Sequence, residues 1–231
     1  MTQNRPLVCG VPGPEICGAI FDMDGTLLDS MDIWFDAGPR YLISKGITPH
    51  DNVHDAIATL NMAQVADYFQ DEYGIDEPAQ QIIDGVNGQL DDFYAHEVEP
   101  IAGVTDFLEE LARRGIPCCV ATTTDRYLTE SGLSHAGIDS YFSFVLTCSE
   151  LNTDKEHPEI FLEARRRLGT GSGTWVFEDA IHAIRTAHTA GFPLCAVEET
   201  SMAPYRDEIK DLSEVYLPKD YRVWRWCDTS R

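Results

Sequence analysis

Positive charge is what this chain has least of. Among 231 residues, 17 Lys and Arg stand against 39 Asp and Glu, for a formal net charge of −22. Binding a phosphate backbone needs a basic face, so nucleic acid is excluded as the expected partner. A small phosphorylated ligand is not excluded, because a metal or one local Lys reverses the field inside a cleft. Long apolar runs are missing too: none approaches the roughly 18–20 residues of a membrane span, so no membrane partner is expected. The stretch from Met1 to Gly18 has no apolar core and is broken by Gly10, Pro12, Gly13 and Pro14, so no signal peptide is expected. Nor is there a cysteine frame. Cys9, Cys17, Cys118, Cys119, Cys148, Cys195 and Cys227 are odd in number and contain no C-x-x-C pair. They read as buried, reduced thiols of a cytoplasmic protein rather than as disulfides or zinc ligands. The seven histidines lack metal spacing such as H-E-x-x-H.

What is present is a hydrophobic content of 43%, enough for a real core, and a repeated local grammar. The apolar run Cys17–Phe21 ends abruptly in Asp22-Met23-Asp24-Gly25, as a buried strand followed by a polar turn does. Ile116–Ala121 ends in Thr122-Thr123-Thr124, Phe142–Thr147 in Cys148-Ser149-Glu150, Thr174–Phe177 in Glu178-Asp179, and Phe192–Val197 in Glu198-Glu199. Helical spacing over Thr105–Arg114, Pro158–Leu168, Ala180–Ala190 and Pro204–Leu212 fills the gaps, with Gly115, Gly169 and Gly191 as stops after three of them. Short buried strands alternating with helices predict an α/β fold, a Rossmann-like parallel sheet with helices on both faces. Residues 31–99 break the alternation. Asp32–Lys45, Asn52–Thr59, Met62–Tyr73 and Pro78–His96 all have helical spacing without a strand, which predicts an inserted α-helical domain. The expected division is residues 15–30 and 100–231 as core, and 31–99 as insert.

In an open parallel sheet, ligands bind beyond the carboxyl ends of the strands. The polar residues expected there are Asp22, Asp24, Thr122, Thr124, Glu178 and Asp179, with Lys155 between the third strand and its helix. Four acidic side chains at one edge repel unless a cation sits among them, and hard oxygen ligands of this kind suit Mg²⁺. A calcium loop is a poorer fit, since its template needs Asp or Asn at position 26 and Gly at 27, where the chain has Thr26 and Leu27.

These residues carry a resemblance. Phe21–Ser30 resembles the first motif of the haloacid dehalogenase (HAD) superfamily in its phosphatase branch. Thr122 after Cys119-Val120-Ala121 is similar to the second motif, Lys155 ahead of Pro158 and Phe161 to the third, and Val176–Ala180 followed by Ala190-Gly191 to the fourth. The helical insert resembles the small cap of the phosphoglycolate phosphatase/β-phosphoglucomutase subfamily. The resemblance implies an Mg²⁺-dependent phosphatase acting on a small phosphorylated metabolite through an aspartyl-phosphate. Asp22 would be the nucleophile and Asp24 the acid/base group. The Asp22 side chain, the Asp24 carbonyl and Asp179 would hold the metal, with Glu178 acting through water. Lys155 would neutralise charge, and the Thr122 hydroxyl would cradle a phosphoryl oxygen, with Thr123 and Thr124 beside it as substrate contacts.

In that family the cap selects the substrate. Trp34 is the expected contact, with Met31, Phe35, Tyr41, Met62 and Gln64 as further candidates. The mutases of the subfamily carry a His where this chain has Trp34, and they hold a bisphosphate, for which Arg40 and Lys45 are the only Lys or Arg residues in the insert. Hydrolysis is therefore favoured over mutase chemistry. A non-catalytic phosphometabolite-binding protein is the other alternative, and monomer or dimer stays open.

Overall fold

The computed structural model describes residues 6–8, 11–57 and 62–227. Cys9 and the end of the helix expected over Asn52–Thr59 lie outside them. The chain divides into two compact units, Met1–Asp29 with Glu99–Arg231, and Ser30–Val98.

In the first unit a short hairpin, β1 (Leu7–Val8) with β2 (Val11–Pro12), precedes β3 (Gly18–Phe21). After the inserted unit come α5 (Val104–Arg113), β4 (Cys118–Thr122), α6 (Arg126–His135), β5 (Phe142–Thr147), α7 (Cys148–Leu151) and α8 (Glu159–Leu168). They are followed by β6 (Thr174–Glu178), α9 (Ile181–Thr189), β7 (Leu194–Val197), α10 (Arg206–Leu212) and β8 (Val215–Leu217). Six of the strands form one sheet in the order β5-β4-β3-β6-β7-β8, all neighbours parallel. Every residue of β3, β4, β6 and β7 is buried. That is why these strands read as continuous apolar runs rather than alternating ones.

Sequence order turns at β3: β4 and β5 step outward on one side, and β6, β7 and β8 on the other. Such a switch point opens a crevice at the strand's carboxyl end. Prolines set two strand starts. The runs expected from Ile116 and Phe192 enter the ladder only at Cys118 and Leu194, one residue past Pro117 and Pro193. A proline nitrogen has no hydrogen to give, although both proline carbonyls accept, from Ala19 at 3.0 Å and Val176 at 2.9 Å. The helix expected from Pro204 likewise begins at Arg206, with Pro204 in a 3-10 turn over Thr200–Tyr205.

Phe21 and Phe177 stack at 4.3 Å on one face of the sheet. Trp224 closes this cluster, with its ring 5.0 Å from Phe107, 5.8 Å from Phe177 and 6.0 Å from Trp175. Trp226 packs against Trp224 at 5.6 Å, and the Arg114 guanidinium lies 4.1 Å over the Trp226 ring. The opposite face packs Ile20, Cys119, Val176, Ile160, Phe161 and Ile184.

The second unit contains α1 (Met31–Ser44), α2 (Val53–Ile57), α3 (Met62–Tyr73) and α4 (Ala79–His96). Its core gathers Ile33, Leu42, Phe69, Ile82, Leu90 and Tyr94. Tyr41, expected among the ligand-facing residues, is instead a core residue, 1% exposed. Its ring lies parallel to Phe69 at 6.1 Å, and its hydroxyl donates to Glu77 at 3.1 Å. Helix α4 approaches so closely that a Cβ on Gly85 would sit 2.3 Å from the Tyr41 ring. Pro39 lies inside α1 and cannot donate to the carbonyl four residues earlier. That carbonyl, on Phe35, faces the His54 Nδ1 at 3.2 Å. An α2 side chain therefore offsets the bond that proline removes.

Truncating the indole that closes the aromatic cluster is expected to cost about 3–5 kcal/mol of unfolding free energy, as large core deletions do. Urea denaturation of Trp224→Ala checks this. A loss below about 1 kcal/mol would show that the C-terminal segment is not part of the core.

Candidate active site

The site grows from the end of β3. The Asp22 amide still belongs to the sheet, donating to the Phe177 carbonyl at 2.9 Å. The chain then curls. The Met23 carbonyl accepts from Leu27 at 2.8 Å and Leu28 at 2.9 Å, and Gly25 N–H donates to the Leu28 carbonyl at 2.9 Å. Gly25 has φ +76°, a left-handed conformation that strains any residue with a Cβ. This turn returns Thr26 toward the strand ends, where its hydroxyl donates to Asp179 Oδ1 at 3.2 Å. Its carbonyl accepts from the buried Tyr221 hydroxyl at 3.1 Å. Thr26 and Tyr221 are site-building residues that sequence reasoning did not assign. The only available signal was a hydroxyl directly after the turn glycine.

Lys155 arrives from the other side of the sheet. Thr147, the last residue of β5, caps α7 in a reciprocal box with Glu150. Asn152 then takes a left-handed conformation at φ +50° and ends that single turn of helix. The loop that follows carries Lys155 to a position only 3% exposed. Its ammonium donates to Asp22 Oδ1 and, at 2.5 Å, to Glu178 Oε1. The other Glu178 oxygen accepts the Asp179 and Ala180 amides at 2.9 and 3.0 Å. Carboxylate oxygens of Asp22, Glu178 and Asp179 all lie within 4.8 Å of one another, and all three residues are buried.

Thr122 closes β4 beside this group. Its hydroxyl accepts the Thr124 amide at 3.1 Å. Thr123 points outward and is exposed. The Thr124 hydroxyl donates to Asp24 Oδ2 at 2.6 Å, so its contact is with a catalytic candidate. Asp22, Asp24, Thr122, Thr124, Lys155, Glu178 and Asp179 thus converge on one edge of the sheet. Trp34 belongs to the helical unit. There Trp34, Phe35, His54, Ile57, Met62 and Val86 help line a groove of about 290 Å³. Both cations of that unit are committed within it, Arg40 to Glu97 at 3.0 Å and Lys45 to Glu77 at 2.6 Å.

The electrostatics follow from burial. Desolvation pushes the Asp22 carboxyl up to about 8; the Lys155 ammonium opposes this, while Glu178 and Asp24 add to it. Asp179 is pushed well above the carboxylate range by desolvation, then by the Glu178 and Asp22 charges. Burial alone would pull Lys155 down, but the Asp22 and Glu178 charges and hydrogen bonds outweigh it and hold the ammonium charged. One cation therefore serves three buried carboxyls. The group carries a surplus of negative charge that only protons or a second cation can relieve.

The haloacid dehalogenase-like hydrolase family matches residues 19–197 of the chain. The phosphoglycolate phosphatase of Rhodobacter capsulatus is 26% identical over 218 residues, covering 90% of this chain and 97% of that protein. The fructose-1-phosphate phosphatase of Escherichia coli K12 is 29% identical over 187 residues, covering 75% and 92%. Among solved structures, a Thermotoga maritima protein assigned as a beta-phosphoglucomutase superposes with a TM-score of 0.78. It is 21% identical, covers 88% of this chain and 94% of that one, and shows the shared fold.

A raised carboxyl gives stability a definite slope. Between the ordinary Asp22 value of 3.8 and its folded value of about 8, the native state keeps a proton that the unfolded chain has released. Stability then falls as pH rises through that window. Lys155, held above its ordinary 10.5, stays charged in both states there and does not alter the sign. With divalent cations chelated, the thermal midpoint is expected to drop steadily from pH 5 to pH 8. A flat or rising profile would contradict the buried surplus of negative charge.

Proposed function

The chain belongs to the haloacid dehalogenase-like hydrolases, and from that premise we propose that it is a phosphomonoesterase cleaving a small phosphorylated metabolite through an aspartyl-phosphate on Asp22. The observation that carries the reading is the buried contact of Asp22 with a Lys155 ammonium that Glu178 shares. That contact places the nucleophile beside a fixed positive charge, the setting an approaching phosphoryl group needs, and a bound cation would hold its carboxyl ionised. An Asp22 oxygen bonds to phosphorus as the ester P–O bond breaks, and Asp24 gives its proton to the departing oxygen. Asp24 then takes a proton from the water that attacks the aspartyl-phosphate, releasing inorganic phosphate. The Thr122 hydroxyl accepts the Thr124 amide and would give its own hydrogen to a phosphoryl oxygen.

The acidic donor set fits Mg²⁺. Three buried carboxyls cluster around a single ammonium that bonds Asp22 and Glu178, and hard oxygen ligands suit that ion. Asp22, Asp179 and the Asp24 carbonyl would hold the metal, with Glu178, engaged by Lys155 and two amides, acting through water. When bound, the ion would screen the repulsion between the nucleophile and the phosphoryl oxygens. The substrate classes to try come from the relatives, which are named for phosphoglycolate and fructose 1-phosphate. With Arg40 and Lys45 both paired to glutamates, the helical unit has no uncommitted Lys or Arg for a second phosphate. This favours hydrolysis of a monophosphate over mutase chemistry. Trp34 and Phe35 are read as an apolar or aromatic contact for the substrate. The reading includes a cytoplasmic setting, supported by the free buried thiols Cys118, Cys119, Cys148 and Cys195.

A panel of phosphorylated metabolites, including those two and glycerol phosphate, is expected to show Mg²⁺-dependent phosphate release without a bisphosphate activator. Asp22→Asn should abolish it, by at least about 10³-fold, since no weaker nucleophile stands in its place. Turnover surviving that substitution would refute the aspartyl-phosphate route. Asp24→Asn should slow alkyl esters by roughly 10²–10⁴ while sparing the first phosphorylation from 4-nitrophenyl phosphate, whose leaving group needs no proton. Equal losses on both would reject the acid role.

A further inference from the structure

We propose that Thr124 is a positioning residue that holds the Asp24 carboxyl and the Thr122 hydroxyl in their working orientations, rather than a contact for substrate. The inference rests on the reading of Asp24 as acid/base group. Three polar atoms of Thr124 are engaged. Its hydroxyl donates to Asp24 Oδ2 at 2.6 Å, its amide donates to the Thr122 hydroxyl oxygen at 3.1 Å, and its carbonyl accepts from the Thr129 hydroxyl at 3.3 Å. Thr124 is 5% exposed and Thr129 wholly buried. The Thr129 hydroxyl also reaches the Asp125 carbonyl at 3.1 Å, which anchors the first turn of α6 beneath the loop. With its hydroxyl, amide and carbonyl all engaged, Thr124 has little left with which to meet a ligand.

The chemistry of the bond matters more than its length. The Thr124 hydroxyl donates to Asp24 Oδ2, and a carboxyl keeps acceptor capacity on that oxygen whether it is ionised or carries its proton on Oδ1. The contact therefore survives both halves of the cycle, in which Asp24 first loses a proton to the leaving oxygen and then gains one from water, and it leaves Oδ1 to carry that proton. The partners are 100 residues apart in sequence, joined across the β3–β4 pair. The bond thus couples the acid/base group to the strand end that presents Thr122. Misplacement of a reacting group by about 1 Å is enough to lose on the order of 10²-fold in rate.

The test separates positioning from packing by the leaving group. Thr124→Val keeps the volume and removes the hydroxyl, and Thr124→Ser restores the hydroxyl with less volume. Rates are read on the best alkyl phosphomonoester of the metabolite panel and, as single-turnover phosphorylation, on 4-nitrophenyl phosphate. The expected result is a loss of roughly 10–100-fold on the alkyl ester with Thr124→Val, under about threefold on the aryl ester, and recovery of most of the alkyl rate in Thr124→Ser. Thr124→Ala carries the same comparison should the valine variant not fold. Equal losses on both esters, or an unchanged alkyl rate, would overturn the assignment. A wild-type protein that releases no phosphate from either ester, or an Asp22→Asn protein that keeps its rate, would instead overturn the underlying phosphatase reading.

Discussion

A single ammonium stands between two buried carboxylates, and the rest of the molecule is arranged to keep it there. Lys155 reaches Asp22 and Glu178 from a position almost closed to water. Removing such charges from water costs several kcal/mol per ion, and a buried pair seldom offsets this fully by its own attraction. The surrounding bonds supply the remainder: two amides on Glu178, the Thr26 hydroxyl on Asp179, and the sheet bond that fixes the Asp22 backbone. The structure does not balance the charge. It holds an excess of negative charge in place, and an active site that must attract a cation and act on an anionic ester needs that imbalance.

The scaffold explains how such strain is carried. Four central strands without an exposed residue leave no freedom to the loops at their carboxyl ends. Parallel pairing delivers those ends to the same edge. The aromatic cluster of Phe21, Phe107, Phe177 and Trp224 packs directly beneath β3 and β6, the two strands that carry Asp22 and Glu178. Burial of apolar surface there stabilises the fold by the usual tens of cal/mol per Å² and offsets the cost of the ionised edge.

Much of this was legible in the sequence because a strand buried on both faces has one signature, an unbroken apolar run, and three of the five runs, those of β3, β4 and β6, stopped at a polar residue that the site uses. The reading failed where tertiary context outweighs local pattern. Helix α6 contains Thr129, Ser131, Gly132 and Ser134, poor helix formers, and its start depends on the Thr129 bonds and on Arg126 bound to Glu150, Glu130 and the Val145 carbonyl. Strand β8 has three residues, too few for a periodicity, and exists because β7 offers it an edge. Tyr41 looked like a ligand-facing aromatic because its role depends on Gly85, more than forty residues away. The Thr124 bond to Asp24 was not legible, because nothing in a run of three threonines says which hydroxyl meets a carboxylate 100 residues upstream.

The separation of these partners has a consequence for biosynthesis. Thr26 and Asp179 are 153 residues apart, and Lys155 lies 133 residues beyond Asp22. On a ribosome Asp22 emerges early and waits for the Lys155 ammonium, and longer still for the Asp179 carboxyl. Because β3 sits at the centre of the sheet and β6 is its neighbour, a nascent chain holding only about the first three-quarters of the sequence, up to the start of β6, cannot assemble the pocket. A translation product ending there lacks Glu178 and Asp179, and with them two of the three carboxyls of the acidic cluster.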